Sequence, residues 1–228
     1  MSFKEFVNEL DSKGFEGSLV NSIIYSLLSS LIVLSMLYFV FLASIDGFFD
    51  KYGIYLLLSV LSYSILVPTI KQVRAYKQFA CMSGMMIGMT AGMISGFLAG
   101  YYIGATNGMF AGGVFGMLIG IPIGIYLGLC CGVMGYLEGA MAGFMGGLMG
   151  AMTSVMMLND HLEIMSFIVF VVGAMIMFGL NYMIYKETRE MEIKRDENHE
   201  FVIYLSIFLS LLTVLFMIYG PRSSLFGG

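Results

Sequence analysis

The chain has 228 residues, 59% of them hydrophobic and 11% charged, with a formal net charge of −4 and a mean hydropathy of +0.89. Soluble domains carry about 25% charged residues, so the composition excludes an ordinary soluble domain. No basic patch of the size or aromatic interleaving that nucleic acid requires is present.

In residues 1–18, Phe3, Phe6, Val7 and Leu10 recur at helical spacing between Lys4, Glu5, Asn8 and Glu9. This pattern predicts an amphipathic helix lying on the membrane surface or packed on the protein; a plain solvated helix fits it equally well. The same stretch has an acidic excess in place of the basic start of a secretory signal, so none is expected.

A helix rising about 1.5 Å per residue crosses a hydrocarbon core of about 30 Å in about 20 residues. The first predicted span covers 20–45 and the second 53–70, ending near Pro68; together they occupy 20–78. From Phe79 to Leu158 the only charged side chain is Glu138. A single helix of that length would reach about 120 Å, so the tract must fold back twice. Turn signals at "GATNG" (104–108) and "CCGVMGYLEG" (130–139) divide it into spans at 80–104, 109–130 and 135–158. Pro122 falls inside the fourth span, where a kink is expected. After "NDHLE", residues 159–228 hold a sixth span (163–185), a charged connector (186–200) and a seventh span (201–219). The expected fold is a single all-α integral membrane domain over 1–228.

Basic residues concentrate in cytoplasmic loops. Lys71, Arg74 and Lys77 follow the second span; Lys186, Arg189, Lys194 and Arg195 follow the sixth. With four spans between them, both groups fall on one side, joined by Lys4 and Lys13, while Lys51 and Arg222 fall on the other. This predicts a cell-membrane protein with its N-terminus in the cytoplasm and its C-terminus outside.

Glycine recurs at every fourth position without a gap at Gly84, Gly88, Gly92, Gly96, Gly100, Gly104, Gly108, Gly112, Gly116, Gly120, Gly124, Gly128 and Gly132; Gly139, Gly143 and Gly147 continue the spacing in the fifth span. Between lipid-embedded helices the hydrophobic effect gives no net attraction, and small residues at i and i+4 let backbones approach. The stripe predicts a glycine-zipper block of spans three to five. A four-residue step turns about 400°, so the stripe drifts around each helix and should meet neighbours on two sides. Spans one, two, six and seven, richer in Leu, Ile and Phe, are expected to form the lipid-facing shell.

Fourteen of the 22 methionines lie between Met82 and Met157. Met85, Met89 and Met93 repeat every four residues in span three, as do Met141, Met145 and Met149 in span five. Thioethers fill irregular gaps; they are also soft ligands suited to Cu(I), and a ladder of weak sites could pass an ion along. Cys81, Cys130 and Cys131 map to the cytoplasmic face as free thiols, fitting either a soft-metal site or packing among glycines. Asp160, His161 and Glu163 could collect an ion at the opposite end, or form an ordinary polar turn. Glu138 stands either just inside the membrane boundary, where acids are functional candidates, or in water.

The Met85–Met89 pair with the glycine stripe resembles the MxxxM and GxxxG motifs of the small eukaryotic copper-uptake channels, over about a quarter of the chain. That resemblance implies assembly around a methionine-lined pore; the channel family has three spans and one such pair, whereas this chain has seven predicted spans and several pairs. Residues 80–160 also look like Met/Gly-rich modules of prokaryotic membrane proteins, and Cys130–Cys131 resembles the vicinal pair of mercury-uptake membrane proteins. No phosphate loop, HExxH, haem motif or nucleophile–base pattern is visible, so no enzyme is expected. Two functions follow as expectations: handling of a soft metal, Cu(I), by the methionine ladders and cysteines, or a structural membrane subunit using its glycines for helix packing, homo-oligomerisation or docking of a membrane-protein partner.

Overall fold

The computed structural model describes residues 23–32, 34–35, 48–75, 81–129, 132–188 and 199–221. Among the described residues there are seven helices and no strand: α1 (Ile23–Ile32), α2 (Phe48–Ala75), α3 (Cys81–Asn107), α4 (Met109–Gly128), α5 (Gly132–Met156), α6 (Leu162–Thr188) and α7 (His199–Tyr219). Helices α2 to α6 are each long and apolar enough to cross a membrane; α1 and the apolar part of α7, Ile203–Tyr219, are shorter. The expected surface helix at 1–18, most of the connector 186–200 and the pair Cys130–Cys131 lie outside the described residues.

Several boundaries differ from the sequence reading. Helix α2 runs through Pro68 to Ala75 instead of ending near the proline. Helix α5 starts at Gly132, ahead of the predicted 135, which makes Glu138 its seventh residue and places it in the second turn. Pro122 is likewise contained within α4.

Helices α3 and α4 form an antiparallel hairpin with Gly108 as the one residue between them. Its φ of 108° and ψ of 173° fall in a region open essentially to glycine alone. The hydrogen-bond ladder almost carries through the turn: the Gly108 N–H donates to the Gly104 carbonyl at 3.1 Å, and the Gly112 N–H donates to the Gly108 carbonyl at 3.0 Å. Because Gly108 belongs to the four-residue series, the glycines of the two arms are mirror images about it and face each other. A Cβ placed on Gly112 would lie 2.6 Å from the Cα of Gly104; one on Gly116, 2.9 Å from that of Gly100; one on Gly120, 2.8 Å from that of Gly96. Gly92 and Gly88 meet the Cα atoms of Gly124 and Gly128 in the same way, each at 2.8 Å.

Helix α5 enters this seam in matching register. Gly128, Gly124, Gly120 and Gly116 abut Gly135, Gly139, Gly143 and Gly147 in turn. From the other side, a Cβ placed on Gly92, Gly96 or Gly100 would lie 3.1, 2.8 or 2.5 Å from the carbonyl oxygen of Gly139, Gly143 or Gly147, and one on Gly104 would meet Ala151. The result is a stack of layers at one axis, such as Gly96–Gly120–Gly143, with no side chain between the three backbones. In the inner layers each axial glycine therefore touches both partner helices at once. A contact line with period 4 exceeds the 3.6 of a straight helix, so the three helices must wind around one another to keep it. Gly84 is also buried, whereas Gly132, at φ 70°, ends the series exposed.

The expected lipid-facing shell needs correction. Helix α2 has 78% of its apolar window buried, against 22% for α6. Val60, Tyr63, Leu66 and Val67 of α2 are among the most enclosed side chains, packed in the clusters that join α2 to α3, α4, α6 and α7. Conversely, α5 belongs to the glycine block yet keeps a wide face outward. Inside the membrane region hydroxyls bond mostly to their own helix: Ser59 donates to Leu56 O at 2.8 Å, Ser95 to Gly92 O at 3.1 Å and Ser166 to Leu162 O at 2.8 Å. Such back-bonding is what a polar side chain does where water is absent.

Candidate functional site

The glycine layers decide where the methionines go. With Gly88 and Gly92 of α3 turned to the axis, Met89 and Met93 directly after them are rotated about 100° away; with Gly139, Gly143 and Gly147 of α5 turned to it, Met141, Met145 and Met149 two places on are rotated about 200° away. In α3, Met89 and Met93 are exposed and Met85 half-buried; in α5, Met141, Met145 and Met149 are exposed, at 63%, 48% and 52%. Met134, Met152 and Met156 extend the exposed α5 row. Both ladders thus lie on the outer surface of the α3–α5 block and line no interior passage through it.

The two rows flank one seam. Gly146 of α5 abuts the backbone of Met93, and Gly150 abuts that of Phe97. Met145 and Met149, the residues just before these two glycines, therefore stand at the depth of Met93 and Phe97. The composition of this face is unlike that of α6, whose exposed residues include Ile164, Phe167, Ile168, Val171 and Val172.

The other sequence candidates are dispersed. Cys81 is exposed at the start of α3. Glu138 is exposed on α5, near the same end of the block, and its helical side chain leans toward the α5 N-terminus and hence toward that boundary. Asp160 and His161 form the turn between α5 and α6. The Asp160 N–H donates to Met157 O at 3.0 Å, His161 has φ 45°, and the His161 carbonyl accepts from the Met165 N–H at 3.2 Å. Asp160, His161 and Glu163 are all exposed. Among the described residues no group of three or more His, Cys, Asp or Glu is placed to hold a metal.

A buried polar cluster was not read from the sequence. Tyr63, Tyr101 and Tyr102 are almost fully enclosed. The Tyr102 and Ser62 hydroxyls are 3.2 Å apart, and the Tyr101 hydroxyl and Ser166 Oγ are 3.3 Å apart. The two tyrosine rings meet edge to face at 5.7 Å. Beside them, a cavity of about 10 Å³ lined by Ser62, Leu66, Leu98, Phe170 and Met177 has room for about one water molecule. At the far end, Asn107 Nδ2 donates to Phe216 O at 2.9 Å, tying α3 to α7. The signal was present as adjacent tyrosines inside an apolar span and as three serines in "LSVLSYSIL", residues 58–66.

Among the described residues seven helices, five of them long and apolar enough to cross a bilayer, define a multi-pass all-α integral membrane protein. No family model, curated protein or solved structure matches the chain.

Proposed function

We propose that the protein is a non-catalytic membrane scaffold whose rigid α3–α5 block presents a methionine-rich face to a second copy of the chain within the bilayer. The observation that carries this reading is the difference between two outward faces: α5 exposes six methionines (Met134, Met141, Met145, Met149, Met152 and Met156), whereas α6 exposes one, Met175, among branched aliphatics and phenylalanines. Methionine adapts its shape to irregular partners, and helix association in lipid depends on such packing. The glycines are consumed inside one chain, which leaves the methionine face for association. The basic loops orient the scaffold with its N-terminus in the cytoplasm.

The test is cross-linking in liposomes of a protein in which Cys81, Cys130 and Cys131 are serine and Met145 or Met149 is cysteine. Copies should cross-link at either position and fail to do so from Ile168→Cys on α6. A monomer at every protein-to-lipid ratio would overturn the reading.

A second reading, handling of Cu(I), is favoured by the depth match of Met93 with Met145 and Met149 across one seam. Two or three thioethers form a plausible soft site. Copper bound per protein under reducing conditions should then fall when Met93, Met145 and Met149 are changed to leucine; unchanged binding would remove this reading and leave the scaffold intact.

A further inference from the structure

Helix α2 carries an anomaly that neither reading uses. Gln72 is 1% exposed, and neither its Nε2 nor its Oε1 meets a hydrogen-bonding partner. It lies in the spanning part of α2, Tyr52–Val73, where an unsatisfied amide is expensive because no bulk water reaches it. Most buried polar groups are paired, so this one requires an explanation.

The second observation is one turn away. Pro68, inside the helix, has no N–H, so the carbonyl of Ser64 loses its intrahelical donor. Ser64 Oγ gives no help, since it donates to Leu61 O at 2.7 Å. Ser64, Pro68 and Gln72 are spaced by four and share one face of α2, and all three are buried. A helical Cα–Cβ bond leans back toward the preceding turn, so Gln72 starts from the side of the helix where the proline has freed a carbonyl.

We infer that this face is a buried hydration site, holding ordered water between the Ser64 carbonyl and the Gln72 amide. The ligand chemistry follows from what is unsatisfied: two carbonyl acceptors and an NH2 donor. A cation would satisfy the oxygens and leave the NH2 stranded, whereas water donates to the oxygens and accepts from the nitrogen. Proline inside membrane helices is tolerated where such waters take up the released backbone group.

The full chain in liposomes, labelled with 15N-glutamine, tests this. The sequence has two glutamines, Gln72 and Gln78; Gln72→Leu assigns the signal directly, and Gln78→Asn assigns it by elimination should the first variant not fold. Magnetisation from water should reach the Gln72 NH2 protons as fast as it reaches exposed amides. In Pro68→Ala, which restores the missing N–H, that transfer should weaken several-fold. An NH2 group that receives no magnetisation from water, or transfer unaltered in Pro68→Ala, would overturn the site.

Discussion

A Cβ built on Gly100 would lie 2.5 Å from the carbonyl oxygen of Gly147, so at this point α3 and α5 touch backbone to backbone. Real Cβ atoms do not approach so closely, and the obstacle is a main chain that cannot rotate aside. Gly100→Ala should therefore separate the helices and lower stability by about 1–3 kcal/mol. Gly179 is the control: it lies in α6 with nothing within 4 Å of its added Cβ, and Gly179→Ala should be neutral or stabilising by up to about 1 kcal/mol through helix propensity. Unfolding in mixed micelles, followed by circular dichroism, checks the pair; equal effects at both positions would contradict the layered packing.

The two glycines with positive φ should respond differently to substitution. Gly132, at φ 70° with open space around it, is in the left-handed region that asparagine tolerates, so Gly132→Asn should be milder than Gly132→Ala. Gly108, with φ 108° and ψ 173°, should accept neither, and both variants should lose the hairpin. Protease resistance of the reconstituted protein would report the difference.

Asn107 joins the turn end of the hairpin to α7 through the Phe216 carbonyl. Asn107→Ala removes that bond, and an interhelical hydrogen bond in a membrane protein is worth about 0.6 kcal/mol and at most about 1.7. The loss should appear as faster hydrogen exchange in α7 with α3–α5 unaffected.

Met89, Met141 and Met145 are exposed, so changing them together to leucine should alter the stability of the isolated chain by less than about 1.5 kcal/mol. A larger loss, read by the same unfolding assay, would mean that their side chains pack inside the chain after all.

Much of this architecture is legible in the sequence. The turn at Asn107–Gly108 and the three passes of the tract 79–158 follow from apolar length and from glycine as a breaker, and the close packing of α3, α4 and α5 follows from the stripe. What the sequence could not say is direction. Met89 and Met145 recur every four residues, which fixes a face without saying whether it points in or out, and only the placement of the glycines at the axis sends the thioethers outward. The burial of α2 was hidden for a related reason: Leu56, Val60 and Val67 look the same whether lipid or protein covers them, since both surroundings are apolar. Pro68 read as a helix end because in water it would be one.

The mirror relation about Gly108 limits how this block can vary in length. Inserting one residue into either arm would turn every glycine beyond it by about 100° and face it with a bulkier side chain across the seam. Residues can be gained or lost without penalty only as whole layers, four from each arm of the hairpin and four from α5. The bilayer thickness that the block matches is therefore quantised, in increments of about 6 Å.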